Sequence, residues 1–417
     1  MGTTQFSQSR FSQFIRTVLA IIVPVALLVS AASASSSTKV LYAFAGGNDG
    51  EYLDTDLVID SAGNLYGSTV QGGTHGSGTV FQLSPSGAGW THTVLYSFTG
   101  GTDGGEPYKG VTLDPHGNIY GTAVTGGGGS CEGGCGVTFK LTNHGGTWTQ
   151  TVIHQFTGGS DGSGPGSGLT FDKHGNIYGM TPTGGTYGLG TIYQLQPQSN
   201  GTWNLNVIHT FTGGNDGSSG SAGRLILDKG GNLYGVATVG GANGKGVAFE
   251  ITHANGSWTL TPLYAFKDQP DGALPYGGLI FDKAGNLYGT TYYAGVHDFG
   301  TVYKLTHANG AWNETVLYSF KGNADGSAPI STLVADKAGN LYGTTSDGGT
   351  GCACGTIFKL APNGNGTWTE SVPYRFPGSP NAGFSYNGMV ADTAGNFYGA
   401  TTHGGAANDG TVYKFTP

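Results

Sequence analysis

Charge is scarce in this sequence: only 10% of its 417 residues are Asp, Glu, Lys or Arg, and the net charge is −8. A protein that binds nucleic acid needs a basic stripe to neutralise phosphates, so that reading is excluded. Arginine is almost missing; beyond residue 16 there are only Arg224 and Arg375. A sialidase-like cluster of three Arg therefore cannot be built from the rest of the chain. Cysteine is limited to four residues, and no His-Glu-x-x-His pattern occurs. Long apolar runs are lacking except for one near the start. What the chain has in excess is glycine, 80 residues. Gly inside a helix costs ~1 kcal/mol relative to Ala, so a helical bundle is excluded. There is no Gly-X-Y period, which rules out collagen. Aromatic residues make up 12%, against disorder. An all-β chain rich in glycine turns remains.

The apolar run is an address. Arg10 and Arg16 precede Val18–Val29, and Ala32-Ser33-Ala34 follows. A positive segment, a short apolar segment and a small-residue site describe a secretory signal peptide over residues 1–34, cleaved after Ala34. The expected location is outside the cytoplasm: extracellular, cell-surface or periplasmic. No other run is apolar and long enough to span a bilayer.

The rest is one unit repeated seven times, a single domain over 35–417. The pattern Asp-x-x-Gly-Asn-(Leu/Ile/Phe)-Tyr-Gly places its Asn at 64, 118, 176, 232, 286, 340 and 396. The six Trp of the chain, at 90, 148, 203, 258, 312 and 368, fall one to a unit. Each unit reads as four short strands bounded by Gly, Asn and Asp. In unit five these are Gly278–Asp282, Asn286–Thr290, Gly300–Leu305 and Trp312–Phe320. A period of two puts Trp312, Glu314, Val316, Tyr318 and Phe320 on one face of the last strand.

Four antiparallel strands in ~55 residues make a propeller blade, and blades bury their faces against one another. The ends predict closure. Lys39–Phe44 reads as a fourth strand without the first three, and Gly410–Pro417 as a third strand without a fourth. Pairing them completes a seventh blade and removes an exposed edge. The expected fold is an all-β, seven-bladed β-propeller acting as a monomer.

The runs Val-Leu-Tyr-Ser-Phe (94–98 and 316–320), Gly-Asn-Leu-Tyr-Gly-Thr-Thr (285–291) and Gly-Thr-Val-Tyr-Lys-Leu (300–305) resemble the GloVer tandem repeat of exported bacterial "choice-of-anchor" proteins. The resemblance covers nearly all of the chain after the leader. It implies export and surface display, and it brings no catalytic residues to transfer. The Asp-x-x-Gly-Asn turn is more weakly similar to NHL and lactonase propellers.

Chemistry is sought where the units depart from the repeat. Asp-Gly occurs at Asp49, Asp103, Asp161, Asp216, Asp271 and Asp325, with Asn381-Ala382 in the seventh unit. These lie in the loop that enters each blade, on the face here termed the top, and Asp-Gly is turn chemistry. The Asp of each Asp-x-x-Gly-Asn is expected to cap a hairpin on the opposite, bottom face. Five residues after the top Asp or Asn lie Asp54, Tyr108, Gly166, Ser221, Tyr276, Ile330 and Tyr386. Tyr108, Tyr276 and Tyr386 are candidate ligand-binding residues at the channel mouth, since Tyr offers an apolar face with a polar tip. A longer loop in blade five adds Tyr292, Tyr293, His297, Asp298 and Phe299, of which Tyr292, Tyr293 and Asp298 join the candidate site. Glu51, Asp54 and Asp56 are the dense acidic group at the mouth, and Lys109 and Arg224 are the cations of the inner strands. No catalytic residue, metal site or cofactor is read from the chain.

Cys131/Cys135 and Cys352/Cys354 fall in the second-to-third-strand loops of blades two and six. Those blades are not neighbours, so cross-pairing is not expected; in an oxidising compartment Cys131–Cys135 is expected to pair, while Cys352–Cys354 would close a tight, strained ring and stays an open candidate. The function expected is non-enzymatic binding of a glycan, peptide or envelope component through the top face. The alternative is an extracellular hydrolase or lyase acting on a polysaccharide or lactone, with two carboxyl groups or a metal at the channel mouth.

Overall fold

A computed structural model describes residues 36–218 and 223–417; the leader assigned to residues 1–34 lies outside them. Seven four-stranded antiparallel sheets follow one another around a central channel. Blade one is Val58–Ile59, Leu65–Thr69, Thr79–Ser86 and Gly89–Ser97, in that order from the channel outward. Blades two to six repeat this plan. The innermost strand is short, two residues in most blades, because the chain arrives there through a tight, glycine-rich loop.

The seventh blade is Val390–Ala391, Phe397–Thr401 and Thr411–Thr416, with Ser37–Ala43 as its outer strand. Ser37 pairs with Thr416, Lys39 with Lys414 and Ala43 with Thr411. The Phe44 amide continues the ladder to the Gly410 carbonyl at 3.0 Å. The terminal strands thus close the ring as the chain ends predicted.

The core lies between blades. Seven buried clusters each draw on two adjacent sheets; one joins Tyr66 and Phe98 of blade one to Val111, Ile119 and Phe139 of blade two. The Gly of each Asn-Leu-Tyr-Gly is a packing requirement. A Cβ on Gly67 would lie 2.7 Å from the ring of Phe81 on the neighbouring strand. The tip of the aromatic at that third-strand position (Phe81, Phe139, Tyr193 and so on) fills the space of the missing side chain.

Each Trp joins its blade to the one before. Trp203 meets Tyr120 at 6.2 Å between ring centroids, Trp258 meets Tyr178 at 6.0 Å and Trp368 meets Tyr288 at 6.3 Å. These are edge-to-face pairs, the favoured arrangement of two aromatic quadrupoles. At the junction of blades six and seven Ser36 stands at the Trp register, and larger side chains fill the space. Phe397 and Phe415 replace the aliphatic residues of the other blades, and Tyr342 packs on both at 4.8 and 6.1 Å.

One expectation is corrected. Each outer strand is bulged: Val302 pairs with Tyr318, whereas Tyr303 pairs with Val316. The extra residue, Leu317, reverses the alternation. Trp312 therefore faces blade four, while Phe320 faces blade six. The five residues expected on one face are divided between two interfaces.

Candidate functional site

The bottom face is occupied by turn chemistry. Asp282 accepts from the amides of Ala284 and Asn286 at 2.8 and 2.9 Å, from Asn286 Nδ2 at 2.6 Å and from the Tyr288 hydroxyl at 3.1 Å. The other six units repeat the bonds from Asn and Tyr. Burial alone would raise the Asp282 pKa, but these hydrogen bonds outweigh it and hold the carboxyl below its usual value. Two open grooves of about 740 and 670 Å³ lie between blades two and three and between three and four on this side. They are the spaces beside the Trp–Tyr contacts, lined by hairpin residues such as Lys173 and Asn232.

The top Asp-Gly residues are consumed in the same way. Asp103 accepts from the Thr99 amide at 2.9 Å and the Tyr96 hydroxyl at 2.9 Å. Asp161 accepts from the Thr157 amide at 3.0 Å and pairs with His154 at 3.1 Å. Asp49, Asp216, Asp271 and Asp325 likewise cap their loops and take a Tyr or His from the outer strand. They bind their own loops, and no ring of free carboxylates results.

The channel mouth differs. Tyr276 and Tyr292 meet at 5.6 Å between centroids with planes at 71°. Both are exposed, as are Tyr293, Val296 and Phe299 of the same blade-five loop. Phe299 lies across Gly322 of the next top loop. Asp298, half-buried with φ 66°, sits at the tight turn of the loop, beside exposed His297. Tyr108 and Tyr386 are half-buried. Burial raises the Tyr386 pKa, with further contributions from the neighbouring Asp347, Tyr52, Asp54 and Tyr292. Burial likewise raises that of Tyr108, with Asp54 and Glu106 adding to it. The rim thus brings blades one, two, five, six and seven together. Ser221 lies outside the described residues.

The acidic group at the mouth is engaged. Lys109 Nζ lies 2.9 Å from Asp54 Oδ1 and 3.3 Å from Asn387 Oδ1. Burial would lower the Lys109 pKa, but Asp54 and Asp56 outweigh it and raise it. Asp56 Oδ1 accepts the Gly388 amide at 2.9 Å, tying blade one to blade seven.

Two rim residues escaped the sequence reading. Tyr52 and Phe384 flank His403, at 5.3 and 5.4 Å. Both stand three residues after the top Asp or Asn and both have positive φ, 66° and 58°. Aligning the units at that register would have shown an aromatic in blades one and seven. Among the described residues eight large hydrophobic side chains are exposed, and all but Val40 lie in top-face loops.

Cys131–Cys135 and Cys352–Cys354 are disulfide-bonded, with Cα atoms 5.1 and 5.2 Å apart. Each bridge packs on the top loop that follows its own blade, at Gly158 and Gly378. Among the described residues no three His, Cys, Asp or Glu side chains converge as a metal site. Among them no helix is long and apolar enough to cross a membrane.

Solved structures share the fold at low identity. A Lactobacillus plantarum protein matches with a TM-score of 0.55 at 13% identity, over 85% of this chain and 99% of its own. A fungal alcohol oxidase of the AA5 family, solved with copper, matches at 0.53 and 15%, over 92% of this chain and 76% of its own. A Bacteroides uniformis protein provisionally described as a 6-phosphogluconolactonase matches at 0.50 and 14%, over 76% and 83%. No curated protein matches the chain. The profile of the Gloeobacter/Verrucomicrobia repeat matches residues 27–224, 128–350 and 221–417, and on that span the chain belongs to this repeat family.

Proposed function

We propose that the chain is an exported, non-enzymatic binding module that takes a glycan or cell-envelope partner on its top face. The observation that carries this reading is the concentration of exposed aromatics there. Tyr52, Tyr187, Tyr276, Tyr292, Tyr293 and Phe299 all lie in top-face loops. An aromatic left in water on a rigid rim is costly unless something covers it, and a sugar ring matches the face and tip of Tyr. The leader-like segment and the two intraloop disulfides support an oxidising destination. The hydrolase or lyase reading needs two carboxyl groups free to act across the mouth. It loses support because Asp54 is held by Lys109 and Asp56 by the Gly388 amide.

The test is a polysaccharide-binding screen with the wild type, Tyr276→Ala and Tyr292→Ala. A glycan held on this rim should bind each variant at least ~10-fold more weakly, about 1.4 kcal/mol. Equal binding by all three proteins overturns the site. A blank screen overturns the glycan reading.

A further inference from the structure

Below the mouth the channel contains a cavity of about 360 Å³. Its walls are mostly apolar, with Val58, Ile226, Leu279, Ile280, Met389 and Val390 from four blades, and Asp56 and Thr332 are the polar residues beside them. Arg224 also lines it, standing eight residues before the hairpin Asn of blade four. At the same register the other blades carry Asp56, Gly110, Gly168, Gly278, Thr332 and Gly388. Four blades in seven are built with no side chain there, so the fold does not require Arg224. Its side chain runs across the blade-three wall: a Cβ on Gly168 would stand 3.4 Å from Nε and 3.8 Å from Nη2.

Arg224 has no partner for its charge. Every Asp and Glu of the chain lies among the described residues, and none comes within 4.0 Å of the guanidinium. Asp56 shares the cavity, but it accepts the Gly388 amide and its charge acts on Lys109. Arginine cannot shed its proton in a protein. A half-buried cation without an ion-pair partner, beside a largely apolar cavity, is costly, and the cost falls when an anion meets it. Its planar fork fits a carboxylate through two parallel hydrogen bonds. The volume lies at the lower end of the range for small-molecule sites, ~300–1,000 Å³.

We infer that the channel of this propeller is a binding site for a small aliphatic carboxylate, its carboxylate on Arg224 and its chain against Ile226, Ile280, Met389 and Val390. The site is separate from the aromatic rim and does not rest on the top-face reading.

The chain offers a reporter for the test. Its three methionines are Met1, Met180 and Met389. Met180 is fully buried in blade three, whereas Met389 lines the cavity. Protein carrying ¹³C-methyl methionine is titrated with sodium hexanoate, hexanamide or sodium chloride, as wild type, Arg224→Gln and Arg224→Lys. Gly and Thr stand at this register in other blades, so both variants should fold, which thermal melting checks. Hexanoate should shift the Met389 methyl resonance saturably and leave Met180 unmoved. Hexanamide should bind at least ~10-fold more weakly, Arg224→Gln should lose the difference, and Arg224→Lys should fall between. Equal binding of hexanoate and hexanamide, or unchanged binding by Arg224→Gln, overturns the proposal. A chloride response equal to that of hexanoate marks a general anion site and overturns the aliphatic assignment.

Discussion

Glu314 illustrates how one residue can depart from its repeat and change the chemistry of an interface. It stands on the outer strand of blade five, against Asp271 of the top loop that joins blade four to blade five. Blade one puts His92 at this register, 3.0 Å from Asp49. Glu314 offers a second carboxyl group instead, and neither Asp271 Oδ1 nor Glu314 Oε1 has another hydrogen-bond partner. Burial, then the charge of Asp271, pushes the Glu314 pKa up to about 8. The folded protein therefore holds a proton that the unfolded chain releases near its ordinary value of 4.5. Stability from this group is full below pH ~4.5 and is lost as pH rises through about 8. Glu314→Gln keeps a donor for Asp271 without the charge. Melting curves at pH 6.5 and 9 should show a smaller alkaline loss in Glu314→Gln than in the wild type. Parallel losses would mean that the pair does not titrate in this range.

At the scale of the element, the hairpin is the unit that repeats most closely, and its reason is the Asp. Four donors converge on Asp282, two from the backbone and two from side chains. Removing a charged acceptor shared by four donors, three of them part-buried, costs more than one ordinary hydrogen bond. Asp282→Ala should lower the unfolding free energy by roughly 2–4 kcal/mol in a urea titration, and Asp282→Asn by less, because it keeps one acceptor oxygen. Equal stability of the alanine variant would remove the turn as the reason for the repeat. The Asp-x-x-Gly-Asn turn was legible in the sequence because all its partners lie within six residues. The outer strand was less so. The bulge beside Leu317 depends on how the strand pairs with Thr301–Ala308, and nothing in Trp312–Phe320 alone announces it. The candidate site was legible in part for a similar reason. Tyr276 and Tyr292 could be named from their registers, but their contact depends on how two loops fold over the rim. Arg224 was visible as a cation of the inner strand, while its lack of a carboxylate within 4.0 Å needed seven blades in place.

The whole molecule depends on a single junction between distant parts of the chain. Six blades are built from continuous chain, and the seventh borrows its outer strand from Ser37–Ala43. That strand covers the edge of Thr411–Thr416 and places Phe44, 1% exposed, in the cluster between blades seven and one. The blade-six to blade-seven contact lacks a Trp and relies on Tyr342, Phe397 and Phe415. A protein lacking residues 36–46 loses a strand and a buried Phe together. Deleting a buried Phe side chain alone costs about 3–5 kcal/mol. At ~2.1 cal/mol/K of unfolding entropy per residue, a ring of this size shifts by little more than ~1 °C per kcal/mol, so the melting temperature should fall by at least roughly 4 °C. The bare Thr411–Thr416 edge should also pair between molecules, seen as concentration-dependent light scattering. A synthetic peptide of residues 36–46 supplies the missing strand in trans and should restore part of the melting temperature and suppress the scattering. A peptide with Phe44 replaced by Ala should do so poorly, because the ladder alone does not fill the core between the blades. If the shortened protein melts like the full chain and stays monomeric, the ring does not depend on this closure.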